Sequence, residues 1–328
     1  MSDRKQYDIT AIGESLIDFV SLKSNRPDKI LLEGNPGGAP ANVLACASRL
    51  GLKTAFISKL GRDTFGQFLM TELQNAGIDT HAVVSSAEYP TTIAVVTLDE
   101  TGNRSFDFYR NQTSDVMLTP SEIDYSVIKQ SRILHFGSVS MTTEPSRSAT
   151  LAAVKYAKEN GLLISYDPNL RELLWKNKEE AHDIILKGIE LSDFVKVSEE
   201  ELRFLSEENK ISAGLEKLYC AYDLKLLAIT LGPNGCICKC KAGVFQSSAF
   251  NVECIDTTGA GDAFWGAALY TIVRGEEDLE EFTSDEMQYL LDFANASGSL
   301  TTMRKGAIPA LPCLDKILDC LAHVPRCK

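Results

Sequence analysis

Asp256-Thr257-Thr258-Gly259-Ala260-Gly261-Asp262-Ala263-Phe264-Trp265-Gly266 is the stretch from which the rest of the chain is read. Asn251-Val252-Glu253-Cys254-Ile255, just before it, alternates and predicts a strand. Ala263 to Val273, just after, is small and apolar without a Gly-Pro break and predicts a buried helix. Between them Gly259 and Gly261 can take backbone angles closed to other residues, and with Ala260 they leave no bulky side chain over the helix end. The first helical N–H groups are then unpaired and uncovered, and the helix dipole adds partial positive charge: an anion site. Asp262, a carboxylate at that mouth, has two readings. It is an N-terminal cap or first-turn acid, or it is a base aimed at a hydroxyl that attacks a phosphate held by the same N–H groups.

Working outward, 328 residues suffice for one large domain or two, and 44% apolar with 24% charged residues is ordinary for a soluble globular protein. The net charge of −12 argues against nucleic acid or an acidic membrane surface as the main partner, while leaving room for a locally basic pocket. Met1-Ser2-Asp3-Arg4-Lys5-Gln6 runs directly into a strand-like Tyr7 to Gly13, with no signal-peptide core or bilayer-spanning run, so a cytoplasmic location is expected by default. Nine scattered cysteines fit reduced thiols better than a disulfide framework. Cys236, Cys238 and Cys240 alternate along a strand and face one way; apolar packing is expected of them, since a zinc site would want two-residue spacing or a nearby His.

Along the chain, Tyr7–Gly13, Thr54–Ser58, Ile133–Phe136, Leu162–Tyr166, Phe194–Val197 and Leu226–Leu231 read as strands separated by apolar-faced helices. This is the rhythm of a parallel α/β sheet. It breaks at Thr91–Leu98 and Arg104–Arg110, which flank the turn Asp99–Asn103 and predict a hairpin; with 15–35 they could make a small second sheet. Glu276–Glu281 reads as a solvated acidic turn. Ligands of such sheets collect beyond the carboxyl ends of the strands. Asp18, Asp167, Lys196, Glu199, Thr230–Gly232 and Gly259–Asp262 all follow strands and so should gather on one edge.

There is no Gly-x-x-x-x-Gly-Lys-Ser/Thr loop, no Gly-x-Gly-x-x-Gly after the first strand, no Gly-x-Ser-x-Gly elbow and no His-Glu-x-x-His, and the chain has only four His. What remains is an anion hole with a carboxylate, which suits phosphoryl transfer to an alcohol.

Asp256 to Phe264 resembles the second signature of the ribokinase (PfkB) carbohydrate kinases, and Gly37-Gly38-Ala39-Pro40-Ala41-Asn42 resembles the first. Thr230-Leu231-Gly232, with Gly235, is similar to their nucleotide-phosphate turn, and Arg304-Lys305-Gly306-Ala307 to their closing loop. The four occur in family order across nearly the whole chain. Phe108-Tyr109-Arg110-Asn111, Leu134–Ser138 and Ser165–Arg171 followed by Leu174-Trp175 resemble the fructokinase branch in particular.

The resemblance implies a ribokinase-like three-layer αβα fold with a mostly parallel central sheet, forming a single domain over 1–328 with a small β lid from about 15–35 and 91–112. It implies ATP and Mg²⁺ and leaves room for K⁺. An exposed lid sheet, whose uncovered apolar strand faces and edges are costly, predicts a homodimer through the lid. Sugar contacts would come from Asp18, Gly37, Gly38 and Asn42, joined by Arg110, Asn169 and Arg171. Lys196, Ser198, Thr230, Gly232, Gly235 and Asn295, with Gly259, Ala260 and Gly261, would line the nucleotide side. Glu201 would reach Mg²⁺ through water, although Ser198 stands where ribokinases carry its Asn partner; Asp256 and Thr258 would belong to a monovalent-cation site. The activity expected is transfer of the γ-phosphate of ATP to the terminal hydroxyl of fructose, with Asp262 as base. A 2-keto-3-deoxygluconate kinase, which needs cations for an acid sugar, and a non-catalytic sugar or nucleotide sensor on the same fold are the alternatives.

Overall fold

A computed structural model describes residues 5–22, 28–98, 104–275 and 281–327. The turn at 99–103 and all but the last residue of the acidic run at 276–281 lie outside the described residues. The strands are β1 (Tyr7–Ile12), β2 (Leu16–Leu22), β3 (Leu31–Gly37), β4 (Thr54–Gly61), β5 (Ile78–Asp79), β6 (Val83–Ser86), β7 (Ile93–Leu98), β8 (Arg104–Tyr109), β9 (Ser131–Phe136), β10 (Leu163–Tyr166), β11 (Phe194–Ser198), β12 (Leu226–Thr230), β13 (Cys236–Cys240) and β14 (Gly243–Ser247). The helices are α1 (Ala39–Arg49), α2 (Thr64–Asn75), α3 (Tyr125–Lys129), α4 (Ser146–Glu159), α5 (Lys178–Glu190), α6 (Glu199–Ser206), α7 (Ile211–Ala221), α8 (Ala260–Arg274), α9 (Ser284–Thr301) and α10 (Leu314–His323).

The main sheet runs β14-β13-β12-β11-β10-β9-β1-β4-β5, with β6 beside β4. Its pairings from β12 through β4 are parallel, and β13 and β14 add an antiparallel edge. Both faces are buried, which is why β1 and β4 read as nearly continuous apolar runs. Successive residues serve opposite layers: Ile133 packs with α1, α8 and α9, and Leu134 with α4 and α5. This is the three-layer α/β fold that the alternation and the resemblance imply.

β2, β3, β7 and β8 form a separate four-stranded sheet in the order β3-β2-β7-β8. Asp18 sits mid-strand in β2, opposite Asn35 of β3 and Ala94 of β7, so this sheet carries its carboxylate over the carboxyl edge of the main sheet.

One expected element does not form. The residues at 251–255 are extended but not a strand; only Phe250 makes a bridge, to Arg326. Among the described residues they pair with no strand, and the backbone bonds go to the chain end and to the end of α9: Asn251 N–H to the Pro325 carbonyl, Ile255 and Asp256 N–H to that of Thr302. The glycine turn is thus approached from a coil tied to α9. Cys236, Cys238 and Cys240 do face one way, buried in the layer under α8 and α9, while Ile237 packs on the other face.

Candidate active site

The turn before α8 is built on Gly259, whose φ of +76° is left-handed and which caps the helix without a side chain. A Cβ there would lie 2.6 Å from the Ala307 Cβ, so the loop at 304–307 closes directly over the turn. α9 approaches closely enough that a Cβ on Gly298 would stand 3.1 Å from the Ala260 carbonyl oxygen. The amides at the start of α8 are therefore fixed from two sides; Ala260 N–H already donates to the Thr257 carbonyl at 3.2 Å, while Gly259, Gly261 and Asp262 line the cleft.

α1 approaches the same point. Gly38, at φ +115°, precedes it, and any side chain there would run into the Glu14 carbonyl and Ser15 Cα. Gly37 leaves room for the Asp18 carboxylate, which a Cβ would displace. One turn into α1, Asn42 Nδ2 donates to Asp262 Oδ2 at 2.8 Å. The Asp262 carboxylate is thus directed across to α1 rather than back onto its own helix end. Burial pushes it above the ordinary carboxylate range, against the opposing pull of Lys196, Asn42, Arg171 and Asn169.

Lys196, near the end of β11, is buried beneath the turn. Its Nζ would be 3.0 Å from a Cβ on Gly261 and donates to Asp167 Oδ2 at 2.8 Å. Burial opposes its charge, but Asp167, Glu201 and Asp262 together hold the ammonium above the usual lysine value. A permanent cation therefore lies directly behind the anion hole.

A cleft of about 570 Å³ opens above these groups. Asp18, Gly38, Asn42, Asn169 and Arg171 line it together with Asp256, Thr258, Gly259, Gly261 and Asp262. Burial raises the Asp18 carboxyl to about 6, with Arg171 lowering and Asp262 raising it. On the neighbouring strand ends, Ser198 caps α6, Thr230 faces it across the β11–β12 pair, and Gly232–Asn234 is a short 3-10 turn leading to Gly235. Asn295 of α9 is held further back, donating to the Ser247 carbonyl at 3.0 Å and to Cys236 Sγ at 3.3 Å.

Three of the expected site residues are held by bonds within the chain. Arg110 is not on the cleft wall: its guanidinium is buried, with Nε on Asp115 at 2.8 Å, Nη1 on Thr142 and Nη2 on the Val139 carbonyl. An arginine already committed to three acceptors has little left for a sugar, so the expectation that it faces substrate is corrected. Glu201 has each oxygen on a backbone amide, Leu170 N–H at 2.7 Å and Ser198 N–H at 2.8 Å. Asp256 accepts from Thr258 N–H and Oγ1 through one oxygen and from Gly306 N–H through the other, tying the 304–307 loop to the turn. Glu14 is a cleft residue the sequence did not mark. Its Oε1 accepts from Ala39 N–H at 3.1 Å at the start of α1, and Oε2 has no partner among the described residues. Burial raises this carboxyl to about 7. Glu14 follows β1 directly, and that strand-end position was the available signal.

Residues 6–313 match the family model described as pfkB family carbohydrate kinase. The chain belongs to the pfkB family of carbohydrate kinases. Among curated members of that family, the probable fructokinase-2 of Arabidopsis thaliana is 43% identical over 309 residues, covering 93% of this chain and 92% of its own. Among solved structures, the fructokinase of Xylella fastidiosa with bound ATP superposes with a TM-score of 0.89 at 32% identity, covering 96% of this chain and 98% of that one. A double mutant of the Vibrio cholerae O395 fructokinase, with fructose, ADP and potassium ion bound, gives 0.86 at 32% identity over 97% and 99%. In this pfkB chain the two signature turns, 220 positions apart, meet through the Asn42–Asp262 bond.

Proposed function

We propose that this pfkB-family chain is an ATP-dependent fructokinase that converts fructose to fructose 6-phosphate. The observation that carries the reading is the open N-terminus of α8 with Asp262 on its first turn, fixed by Asn42 and backed by Lys196. Fructose lies between the small sheet and α1, where Asp18, Asn42, Asn169 and Arg171 offer acceptors and donors to its hydroxyls. ATP reaches along the ends of β11 and β12, bringing its γ-phosphate to the Gly259–Ala260–Gly261 turn and the amides of Gly261 and Asp262.

In the reaction the sugar hydroxyl oxygen forms a bond to the γ-phosphorus as the bond to the β–γ bridging oxygen breaks, and ADP leaves. The hydroxyl proton passes to Asp262, whose raised affinity for a proton suits it to that task. The helix amides and Lys196 stabilise charge on the transferring oxygens. Mg²⁺, where bound with the nucleotide, supplies charge neutralisation between its phosphates. The acids nearest to hand are Asp167, paired with Lys196, and Glu201, whose two oxygens already accept backbone amides. Asp256 and Thr258, beside Gly306, are the residues that would face a K⁺ ion, and the bound potassium of the Vibrio relative supports that reading.

An acid sugar as substrate is less well served. Of the two arginines expected to meet a carboxylate, Arg110 is consumed by Asp115, and only Arg171 lines the cleft. A pure sensor would have no use for a buried carboxylate set against an anion hole. The outer sheet exposes Ile30 (83%), Leu31 and Leu32 beside Leu22, an apolar edge suited to a second copy of the chain. ATP turnover against fructose, glucose, ribose and 2-keto-3-deoxygluconate tests the reading. ADP release with fructose above all others is expected; release only with the acid sugar would overturn it.

A further inference from the structure

The segment 167–171 joins β10 to a 3-10 turn at Glu172–Leu174 and carries Asn169 and Arg171, two walls of the sugar side of the cleft. Its first two residues follow the end of β9, Asp167 N–H donating to the Phe136 carbonyl at 3.2 Å and the Pro168 carbonyl accepting from Ser138 N–H at 2.9 Å, and beyond them its shape is unusual. Asn169 has φ +54°, a left-handed conformation uncommon outside glycine that Asn takes more readily than most residues. The segment is pinned at both ends from the nucleotide side. Asp167 is held by Lys196 of β11, and the amide of Leu170, immediately after the left-handed residue, donates to Glu201 Oε1 at 2.7 Å. The other oxygen of Glu201 accepts from Ser198 N–H at 2.8 Å, while Ser198 Oγ accepts from Glu201 N–H at 3.2 Å. Glu201 is itself buried and fixed in this reciprocal cap, so it cannot follow the loop if the loop moves.

We propose that Glu201 is a positioning residue for the sugar side of the cleft: by clasping Leu170 it holds Asn169 in its left-handed conformation, and with it the walls that meet the sugar. The inference rests on the fructokinase reading of the site. It differs from a role for Glu201 in arranging water around Mg²⁺, because each carboxylate oxygen is directed at a backbone amide, one of the loop and one of the cap. The clasp also joins the two substrates physically. Ser198, on the nucleotide side, and Asn169, on the sugar side, are linked through one carboxylate, so disturbing it should be felt first where the left-handed residue sits.

Three full-length proteins test this: the parent, Glu201→Gln, which leaves one acceptor oxygen for two amides, and Glu200→Ala, which removes a neighbouring exposed acid as a control for charge. KM for fructose and for ATP, kcat, and the Mg²⁺ concentration for half-maximal rate are measured alongside amide hydrogen exchange across 163–175. Glu201→Gln should raise KM for fructose about tenfold, the equivalent of one charge-assisted hydrogen bond lost, and speed exchange at Leu170. Its KM for ATP and its Mg²⁺ requirement should stay within about twofold of the parent, a split that general damage to the fold would not give. An unchanged fructose KM with a shifted Mg²⁺ requirement would overturn the proposal in favour of the metal role. The parent protein gives a test that does not depend on any variant folding. Its Leu170 amide should exchange slowly, and rapid exchange would overturn the clasp. A parent that turned over no sugar would instead sink the fructokinase reading, leaving the exchange result to judge the clasp.

Discussion

Asn42 Nδ2 donates to Asp262 Oδ2 at 2.8 Å, joining the first turns of α1 and α8 across 220 residues of sequence. The bond fixes the orientation of a buried carboxylate and stabilises its charged form. Replacing Asn42 by Ala should lower kcat by about tenfold, the scale expected when one hydrogen bond to a charged group is removed. Because Asn42 holds the Asp262 proton affinity down, its loss should also move the acid limb of the kcat–pH profile to higher pH. A profile that keeps its position, with only the amplitude reduced, would mean that Asn42 orients some other group.

Glu14 makes a pH prediction for stability. Its folded-state value of about 7 lies above its ordinary value of 4.5, so its contribution is fully present below the ordinary value and is lost as pH rises through 7. The buried Asp167, also raised by burial to about 7, acts in the same sense, so the melting temperature of the ligand-free protein should rise as pH is lowered from 8.5 to 6.5, and Glu14→Gln should reduce that rise. Below 6.5 the buried His135, held neutral by burial and by Lys196 with its value near 3, works in the opposite sense. A melting temperature that falls between pH 8.5 and 6.5 would contradict the assignment.

The Arg110–Asp115 pair is nearly inaccessible on both sides, at 4% and 1% side-chain exposure. Removing one partner of such a pair typically costs about 3–5 kcal/mol, because the other charge is left buried and alone. Arg110→Ala should show that loss in urea unfolding. Since the guanidinium stands off the cleft wall, any protein that does fold should bind fructose with little change in KM.

Gly259→Ala adds a methyl where the backbone is left-handed and where the Ala307 Cβ stands 2.6 Å away. The backbone term alone is about 1–2 kcal/mol. Relief of the clash requires the 304–307 loop to lift, so turnover should fall further than stability does. Comparison of melting with kcat checks this.

A dimer through the small sheet predicts twice the 36.0 kDa monomer mass by light scattering. Leu32→Glu should return it to one.

Much of the site was legible because strand ends and glycine turns are local signals. Asn42 and Gly259–Asp262 open helices and Lys196 lies near the end of a strand, positions that parallel topology brings to one edge, whereas Asp18, expected after a strand, sits in the middle of β2 in the small sheet. The misreadings were tertiary. Arg110 follows an aromatic strand like a substrate-facing residue, yet its partner Asp115 lies five positions on, beyond the left-handed Gln112. The residues at 251–255 alternate correctly for a strand but find no neighbour to pair with. Glu201 shows its acidity in sequence, while its clasp on Leu170 depends on a loop 31 residues away.

Asp262, as the base, is the residue on which turnover depends most. Asp262→Asn keeps the shape, and its amide can still pair with Asn42, so folding and fructose binding should survive. Turnover of ATP with fructose should fall by about 10²–10⁴, the contribution typical of a positioned base. An Asp262→Asn variant that melts normally, binds fructose and turns over ATP at near the parent rate would contradict the assignment.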